Sequence, residues 1–554
     1  MVWKCKHSSL LAWDLPEIVG GCVDDPHYFG CFRSSSPLSV KMKESVLDDE
    51  PAQTSPLRPP FQDTSKSSDR EPGVGEAEKL RGWQEERLER KLRGEYDSYV
   101  RNLNELIQDS VNTPARITSV QVDGAPNTRA SFLNSIVTRN LPPPSTGSHL
   151  GPHETLTNAL HSSRHITSAL LSTGIFASVS PTLALSTSPF ASPHDYALRL
   201  KARERGRFFL KSSTDVGSNN DGSASVTARI RNAFGGAETI EGAIAFGTQT
   251  TRSGHLRCEW PVVVGTGEIK EGGDGTVRGD VGVFGVQRDA SWYASVKEGV
   301  KGFRACLRGQ TILGAHEFAY EAAIRHLNEL SPDASLSMRQ SMGYTSKSSI
   351  SHTLTRDTRD DPLQGTRGSY QKYFTEFAGL GGDAAFIKTE SESRYSRALW
   401  SEHTISLSMR TGMLYPLFGR SSLFNDRFQL GGSTSIRMFR PNEMGPRDGK
   451  DSIGGDMYWA AGASIIGPFP LKPHWPLKTH MFVNAGRLDS YDPKKSSLEQ
   501  TLKSLTTPCI SAGVGLVYMF SPLRVELNFG VPIAANVSDG LRKGLQVGIG
   551  MDFL

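Results

Sequence analysis

Strict alternation of apolar and polar residues constrains this chain more than any other feature. In Leu523–Phe529 every odd-numbered residue is apolar and every even-numbered residue is charged or polar, and Glu317–Arg325 places Phe, Tyr, Ala and Ile at its even positions. Successive side chains of a strand point to opposite faces, so each run predicts a strand with one apolar and one polar face. From Arg207 to Leu554 such runs follow one another, separated by Gly, Asn, Asp, Ser and Pro clusters, and no long helix is predicted.

Two architectures satisfy this pattern. A soluble β-sandwich buries the apolar face against a second sheet. A barrel in lipid instead turns the apolar face outward and keeps the charged side chains in a water-filled lumen. About 350 residues, at roughly ten per strand plus loops, fit about 16 strands in one closed sheet. Three long polar insertions, Gly265–Asp280, Thr345–Gly368 and Arg440–Gly449, are typical of long loops on one side of such a barrel. Periodicity alone leaves the choice open.

Composition excludes several other classes. No run reaches the ~18 consecutive apolar residues that a spanning helix needs, so a helical membrane protein is excluded. The chain has 62 basic and 58 acidic residues and a formal net charge of +4, which gives no electrostatic case for nucleic-acid binding.

Motifs for catalysis and for metal binding are not found. The 14 histidines form no His-Glu-x-x-His pair, and neither a P-loop nor a Gly-x-Ser-x-Gly elbow occurs. Cys5, Cys22 and Cys31 cluster with His7 and His27, but their spacings match no common zinc knuckle. We therefore expect no enzyme activity, no cofactor and no metal.

The first 112 residues are predicted to lie outside the folded domains. Residues 1–75 are predicted to be a disordered extension, because the part from Met42 is rich in Pro, Ser, Asp and Glu and has too few apolar residues to offset chain entropy. Residues 1–41 match neither a secretory signal nor a matrix-targeting sequence. From residue 76 to 112, apolar residues recur in steps of three and four, which predicts an amphipathic helix that packs on the next domain or on a partner.

Residues 113–205 are predicted to form a compact α+β domain. Its elements are expected in the order β-α-α-β-β: Arg116–Val122, Ala130–Asn140, Glu154–Thr173, Ala177–Leu185 and Asp195–Glu204. Gly174 follows the second helix and Phe176 follows two residues later. This run resembles the turn that closes the second helix of POTRA (polypeptide-transport-associated) domains, where a glycine caps the helix and the aromatic residue packs under it.

A series of short motifs in the C-terminal half resolves the choice of architecture. The motifs are Phe428–Gly432, Ile436–Phe439, Gly454–Trp459, Phe482–Gly486, Gly513–Gly515 and Pro522–Pro532. In this order they resemble the BamA-like outer-membrane assembly (bacterial surface antigen) family. The chain looks most like the mitochondrial branch of that family, the core barrel subunits of the sorting and assembly machinery (SAM). The resemblance covers residues 114–554.

The resemblance implies a membrane all-β fold. Residues 206–554 would form a 16-stranded transmembrane β-barrel in the mitochondrial outer membrane, preceded by one α+β POTRA-like domain in the intermembrane space. The implied partners are β-barrel precursor proteins of the porin type, accessory subunits of a SAM-type complex and outer-membrane lipid, with no nucleic acid.

The resemblance also implies a latch inside the barrel. In the family the sixth long loop folds into the lumen, and its arginine corresponds to Arg437, which meets acidic or polar groups on the lumen wall. The residues expected to form the latch are Ile436, Arg437, Phe439, Asp456 and Asn484. The usual motif is Arg-Gly-Phe, and Met438 replaces its glycine, so the turn must avoid a positive φ or accept strain.

The two ends of the barrel sequence predict a lateral seam. The last strand, Gln546–Phe553, fits polar-x-Gly-x-x-hydrophobic-x-hydrophobic and resembles the β-signal of mitochondrial outer-membrane barrels. Its glycines weaken strand packing, so the joint with the first barrel strand, Arg207–Gly217, is predicted to part most easily. The expected seam residues are Phe208, Leu210, Ser212, Thr214, Gln546, Gly548, Met551 and Phe553.

These features predict a non-catalytic function. A strand that enters lipid alone exposes unpaired backbone groups, whereas an open seam offers partners for them. The predicted function is an insertase that folds β-barrel precursors into the mitochondrial outer membrane by strand pairing at this seam. The alternative is a passive or polypeptide-conducting channel on the same fold.

Overall fold

The computed structural model of the chain describes most residues from Val74 onward. The described residues are 74–92, 105, 109–111, 113–141, 155–189, 191–216, 222–263, 276–363, 365–399, 402–470, 472, 475–491, 498–520, 523–550 and 553. Nearly all of the predicted extension 1–75, and most of the second half of the predicted helix 76–112, lie outside this set. Helix α1 spans Val74–Leu92. Within the described residues, no helix is long and apolar enough to cross a membrane.

A small α/β domain follows α1, and it contains the five predicted elements in the predicted order. They are β1 (Arg116–Asp123), α2 (Ala130–Asn140), α3 (Leu156–Ser172), β2 (Phe176–Leu185) and β3 (Asp195–Glu204). The three strands form a sheet in the order β1-β3-β2, with β1 and β3 parallel and β2 and β3 antiparallel.

The core of this domain lies between its sheet and its helices. Ile166 and Leu170 of α3 and Leu198 and Leu200 of β3 are completely buried. Gly174 follows α3 with a φ of +77°, a conformation that glycine adopts without a steric penalty, and Phe176, two residues later, is buried in the same core as Leu170. The turn therefore has the geometry that its sequence predicts.

Sixteen strands form a second, much larger antiparallel sheet. They are β4 (Phe208–Val216), β5 (Gly222–Arg231), β6 (Thr239–Gly247), β7 (Arg252–Val263), β8 (Val277–Asp289), β9 (Lys297–Thr311), β10 (Gly314–Asn328), β11 (Gly343–Asp357), β12 (Gly368–Gly382), β13 (Phe386–Ala398), β14 (Thr404–Pro416), β17 (Met457–Pro468), β18 (Leu477–Asp489), β19 (Cys509–Phe520), β20 (Leu523–Ala534) and β21 (Gly544–Gly550).

Each of these strands pairs with its neighbours in the sequence. Between β14 and β17 lies a long connection, which contains a short 3₁₀ helix (Phe424–Asp426) and the hairpin β15 (Arg447–Asp448) and β16 (Asp451–Ser452). Three short helices lie in other connections: α4 (Ser291–Ala294), α5 (Leu336–Gln340) and α6 (Leu498–Leu505). In the described residues no ladder joins β4 to β21, so both are edge strands.

The two faces of the large sheet differ as the alternation predicts. On β20, Phe529 is 61% exposed, whereas the intervening Glu526 and Asn528 are completely buried. On β10, Ile324 is exposed while Arg325 is buried against Asp426 of the long connection. One face is therefore apolar and open, and the other carries charges that the connection covers. A single 16-stranded antiparallel sheet supports the predicted β-barrel over a two-sheet sandwich.

The prediction that three long insertions lie on one side is wrong. In an antiparallel meander the connections alternate between the two ends of the sheet. The β7–β8 and β11–β12 connections share the end that carries the α/β domain, while the β14–β17 connection lies at the opposite end. Residues 345–357 belong to β11 itself and not to a loop.

Specific contacts attach the α/β domain to one end of the sheet. The Asn232 side chain, in the β5–β6 turn, donates to the carbonyl of Asn127 (3.1 Å) and to Thr128 Oγ1 (3.0 Å). Arg278, at the start of β8, donates to the carbonyl of Ser172 at the end of α3 (2.8 Å). The polar contacts define which strand ends lie next to this domain.

Candidate functional site

Arg437 is the centre of the buried polar cluster between the long connection and the charged face of the sheet. It is completely buried, and its Nε and Nη2 donate to the two carboxylate oxygens of Glu526 on β20, at 3.0 and 3.2 Å. Its Nη1 donates to Asn484 Oδ1 on β18 at 3.2 Å. This bidentate geometry is the strongest arrangement available to an arginine and a carboxylate. We call residues 428–445, which carry Arg437, the inner loop.

A second arginine shares the same acid. Arg524 Nη2 lies 2.6 Å from Glu526 Oε1, and Asn528 Nδ2 donates to Oε2 at 2.9 Å. Aromatic rings cover the guanidinium groups: the ring of Phe553 lies 5.7 Å from Arg437 Cζ and 5.1 Å from Arg524 Cζ. Cations held over aromatic faces are stabilised by the ring quadrupole. Glu526 is thus the one acid between two buried cations.

The expected partners of Arg437 are partly corrected. Asn484 contacts Arg437, whereas the acid that pairs with Arg437 in the described contacts is Glu526 and not Asp456. Asp456 Oδ2 accepts the backbone N–H of Tyr491 at 2.9 Å, and Arg427 Nε lies 3.9 Å from Oδ1. The acid is Glu526, 89 residues from Arg437 in the sequence. Its position on the polar face of a strictly alternating strand, next to Arg524, was a signal that it faces inward.

Met438 has a positive φ, which is the strained one of the two conformations that the sequence allowed for this turn. Its φ is +66°, and the residue is completely buried. Such a conformation costs of order 1–3 kcal/mol for a residue other than glycine, and persists only where surrounding contacts enforce it. Ile436 and Phe439 on either side of the Arg437–Met438 pair are also completely buried, with Ile436 against Gly486 and Phe439 next to Leu541.

Gln546 of β21 supplies one of the contacts that hold this turn. Its Oε1 accepts the Met438 backbone N–H at 2.9 Å, and its Nε2 donates to the Phe439 carbonyl at 3.2 Å. A side-chain amide that both accepts from and donates to backbone satisfies two buried polar groups at once. Gln546 was predicted at the lateral seam, but its buried side chain points to the inner loop.

The inner loop also binds the turn before β21 through backbone hydrogen bonds. Arg542 N donates to the Met438 carbonyl at 3.0 Å, and Arg440 N donates to the Gly540 carbonyl at 2.8 Å. Gly540 N donates to the Glu443 carbonyl at 2.9 Å. The inner loop therefore contacts both the turn that precedes β21 and the inward face of β21.

Gly548 and Phe553 also face the inner loop. A Cβ added at Gly548 would lie 2.9 Å from Ser433 Cβ and 3.0 Å from Phe553 Cε1, which is closer than real Cβ atoms approach. Phe553 follows β21 and is buried below the two arginines. Both residues lie on or next to an edge strand, as predicted, but with side-chain positions turned inward. Met551 lies outside the described residues.

The four predicted seam residues of the first strand are placed differently. Phe208 and Leu210 are 78% and 74% exposed, and Ser212 and Thr214 are exposed on the same, outward face. The ladder of β4 that the structure describes pairs it with β5. No described contact attaches these four side chains to the inner loop.

The hairpin of the long connection lies at the far end from the α/β domain. Asp451, buried, accepts the Ser295 hydroxyl at 2.6 Å and the Ser335 N–H at 2.7 Å. Asp448 Oδ2 accepts the Ser337 N–H at 3.0 Å. Hydrogen bonds from the Ser337 side chain and backbone hold the pKa of Asp448 below its usual range.

In the described part of the chain, no cluster of three or more His, Cys, Asp or Glu side chains has a geometry that holds a metal ion. At the inner loop, Arg437 pairs with Glu526 and Asn484, and Gln546 pairs with backbone groups. The arrangement is suited to holding two parts of the chain together.

Comparison with known proteins identifies the family of this chain. Residues 232–553 match the Omp85 superfamily domain. A SAM50-like protein of Schizosaccharomyces pombe is 33% identical over 462 residues, which cover 82% of this chain and 94% of that protein. The human sorting and assembly machinery component 50 homolog is 30% identical over 406 residues, covering 72% of this chain and 84% of the relative.

A solved structure shows the same fold. The crystal structure of BamA from Haemophilus ducreyi lacking POTRA domains 1–3 superposes with a TM-score of 0.63 at 15% sequence identity, covering 78% of this chain and 84% of that one. The domain match spans more than half of the chain, and the SAM50-like relatives align over most of it. The chain therefore belongs to the Omp85 superfamily, among its SAM50-like members.

Proposed function

We propose that this protein inserts β-barrel precursors into the mitochondrial outer membrane by pairing their strands at a lateral seam between β4 and β21. The observation that carries this proposal is the unequal state of the two edge strands. The inner loop holds β21 from inside, whereas β4 pairs with β5 and carries exposed side chains at Phe208 and Leu210.

Unassisted insertion of a client strand into lipid has a large free-energy cost, which strand pairing at the seam would lower. A client strand of about ten residues alone in hydrocarbon leaves about ten backbone donors and acceptors unpaired, at several kcal/mol each. In water the same hydrogen bonds contribute only about 1 kcal/mol each. An edge strand that offers matched donors and acceptors at membrane depth removes most of this cost.

β4 is the better candidate for the edge that receives a client. Its nine residues, Phe208–Val216, pair with β5 along one side in the described part of the chain, and Phe208 and Leu210 carry outward apolar side chains. A client's terminal strand adds to this edge by β-augmentation, and each following hairpin then enters already paired. No covalent bond changes, so neither a catalytic residue nor a cofactor is required.

The relatives support the location and the partners. The curated relatives are named as components of the sorting and assembly machinery. By this similarity we place the large sheet in the mitochondrial outer membrane and the α/β domain, as a POTRA-like domain, in the intermembrane space. Porin-type precursors are the proposed clients, and accessory subunits of a SAM-type complex are the proposed partners.

A conduit on the same fold is the weaker candidate. Arg437, Met438 and Phe439 of the inner loop are completely buried against the charged face of the sheet, and backbone hydrogen bonds hold this segment to the turn before β21. A chain moving through the interior would have to displace this segment and its buried ion pair.

Cross-linking separates the two functions. Cysteines placed at Ser212 or Thr214 on β4 should capture the last strand of a radiolabelled porin precursor during import into isolated mitochondria. A matched cysteine at Ser351, on the charged face of β11, is the control. Capture at β4 without capture at Ser351 supports the insertase. Capture along the inner face and none at β4 contradicts it.

A further inference from the structure

The open face of the α/β domain carries a row of cations on its central strand. β3 lies between β1 and β2, and its Leu198 and Leu200 pack into the domain core. The residues that alternate with these two point to the opposite face and are exposed: Arg199, Lys201 and Arg203. Neighbouring cations in this row are about 6–7 Å apart, the repeat of alternate residues in a strand. We call these three residues the basic stripe.

Acidic groups do not neutralise the basic stripe within the described part of the domain. None of its three cations has an ion pair there. Asp123 lies opposite Lys201 on β1 and is exposed, while Asp195, at the start of β3, pairs with Arg116 at 3.6 Å. On the other side of the stripe, the register partners on β2 are exposed hydroxyl side chains: Ser178, Ser180 and Thr182. This face is therefore suited to an anionic ligand.

The residue types of this face favour a peptide over a membrane surface. A surface that binds at a lipid interface carries large apolar side chains beside its cations. In the described part of the domain, the two large apolar side chains that are exposed are Leu171, on α3, and Leu185, at the end of β2 with the parity of the core face. The stripe instead matches an extended peptide with carboxylates on alternate residues, because these recur at the same distance.

The sequence supplies such a peptide before α1. Residues 44–50, Glu-Ser-Val-Leu-Asp-Asp-Glu, contain four acidic residues and no basic residue. Asp48–Glu50 is the one run of three consecutive acidic residues in the whole sequence. In an extended backbone Glu44, Asp48 and Glu50 lie on the same side. We call residues 44–50, which lie outside the described residues, the acidic segment.

We propose that the acidic segment docks on the basic stripe of its own chain, with the carboxylates of alternate residues facing Arg199, Lys201 and Arg203. Residues 51–115 join the segment to β1, so the two partners are tethered. Tethering makes the docking intramolecular and replaces the bulk concentration by a higher effective one, so weak, exposed ion pairs suffice to fill the site. The inference goes beyond the proposed function and does not depend on it.

The docked segment lies beside the junction of the α/β domain and the large sheet. Residues 205–207 alone separate β3 from β4. The Arg205 N–H donates to the Ile175 carbonyl at 2.8 Å, and Arg207 Nη2 donates to the Ala233 carbonyl at 3.1 Å. The acidic segment thus neutralises cations next to the strand that begins the large sheet, and a more acidic ligand can displace it.

Zero-length cross-linking of the whole chain tests the docking. A carbodiimide joins an amine to a carboxylate that it contacts, and Lys201 is the amine of the basic stripe. The chain is cross-linked in phosphatidylcholine nanodiscs and mapped by mass spectrometry. The test variant, Arg199→Gln/Arg203→Gln, removes the flanking cations and keeps Lys201. The matched control, Arg139→Gln/Arg164→Gln, removes two exposed cations from α2 and α3.

We expect Lys201 to be linked to Asp48, Asp49 or Glu50 in the unmodified chain and in the control. The yield should fall at least fivefold in the test variant. Raising the salt from about 0.1 M to about 1 M should also lower it severalfold, because the Debye length falls from about 10 Å to about 3 Å. The absence of a link between Lys201 and the acidic segment, or an equal yield in the two variants, overturns the inference.

Two further arms identify other occupants of the basic stripe. In nanodiscs of equal parts phosphatidylcholine and phosphatidylglycerol the yield should be unchanged, and its loss would assign the stripe to anionic lipid. In a mixture of chains grown on light and on heavy nitrogen, links should join peptides of the same isotope. Links between heavy and light peptides would assign the contact to a second copy. Either of these results overturns the inference.

Amine labelling gives an independent readout. A docked segment covers Lys201, so the variant Asp48→Asn/Asp49→Asn/Glu50→Gln should acetylate Lys201 about threefold faster than the unmodified chain does. Lys211, an exposed amine on β4, is the control and should react at the same rate in both. An unchanged rate at Lys201, or an equal rise at both lysines, contradicts the docking.

Discussion

The two edge strands of the large sheet, β4 and β21, end the same meander but are held by different interactions. The inner face of β21 is fixed by Gln546 and by the backbone bonds between residues 438–443 and 540–542. In the described residues, β4 pairs with β5, and Arg207, which precedes β4, donates to the carbonyls of Asn232 and Ala233. The proposed seam thus joins an edge held by the inner loop to an edge whose described ladder is with β5.

This difference assigns separate tasks to the two edges. The edge held by the inner loop keeps the buried cluster of Arg437 and Glu526 intact, and with it the strained turn at Met438. Under the proposed function, β4 is the edge that receives the client strand. Strain at Met438 is consistent with this division, because such a turn persists only where neighbouring contacts enforce it.

The largest expected effect follows from removing the acid that two arginines share. Glu526→Gln leaves Arg437 and Arg524 buried without a compensating charge, so we expect a loss of about 3–5 kcal/mol in the free energy of unfolding. Urea titration in lipid vesicles measures it. Glu392→Gln is the matched control, because Glu392 also lies between two arginines but its side chain is 23% exposed. An equal loss of unfolding free energy in both variants would show that the buried cluster at the inner loop stabilises the protein no more than the partly exposed ion pairs of Glu392 do.

Gln546→Leu is expected to have the next largest effect. It leaves the Met438 N–H and the Phe439 carbonyl buried without their partner, which costs about 2–4 kcal/mol in total. Hydrogen exchange at the Met438 amide should accelerate correspondingly. Ser212→Ala on β4 serves as the control and should change stability by less than about 0.5 kcal/mol. Equal effects on the two edges would remove the distinction between them.

Gly548→Ala tests the close approach of the last strand to the inner loop. The added methyl group meets Ser433 Cβ at 2.9 Å, and overpacking of this kind costs about 1–3 kcal/mol. Ser433→Gly in the same chain should recover part of this loss, as a double-mutant cycle would show. If the two changes are additive, the contact does not contribute to holding β21.

The smallest effect concerns pH. The pKa of Asp448 is lowered by its hydrogen bonds to Ser337, so this contact is present above the ordinary aspartate pKa and is lost as the pH falls through the lower, folded value. In an acid titration from about pH 6 to about pH 3, the Ser337 amide resonance should shift, whereas the Met438 amide, bonded to an uncharged glutamine, should not. A shift of both would mean that the hairpin and the last strand are released together.

Local pattern predicted the elements and their faces, and it failed where a contact depends on strand order. Alternation identified the polar face of Leu523–Phe529, and helix periodicity with the Gly174 turn identified the β-α-α-β-β unit. Asp456 and Asn484 were the predicted partners of Arg437, and Glu526 was not among them. The correct acid required knowing that β20 lies opposite the inner loop, which no local pattern records.

The terminal motif shows the same limit. Its residues identified the last strand, but their inward roles depend on the path of the inner loop from Ser433 to Phe439. The wrong grouping of the three insertions had a simpler cause: their side of the sheet is decided by counting strands, and residues 345–357 were counted as loop instead of as β11.

A reversible staple across the joint tests the central claim most directly. Cysteines at Ser212 on β4 and Val547 on β21, both on the apolar face, are joined by a flexible bismaleimide with an internal disulfide. The control staple joins Val514 and Phe529, which already face each other in the β19–β20 register. We predict that the first staple stops insertion of porin precursors, that reduction restores it, and that the control staple has no effect. Undiminished insertion by the chain stapled between β4 and β21 would contradict the account.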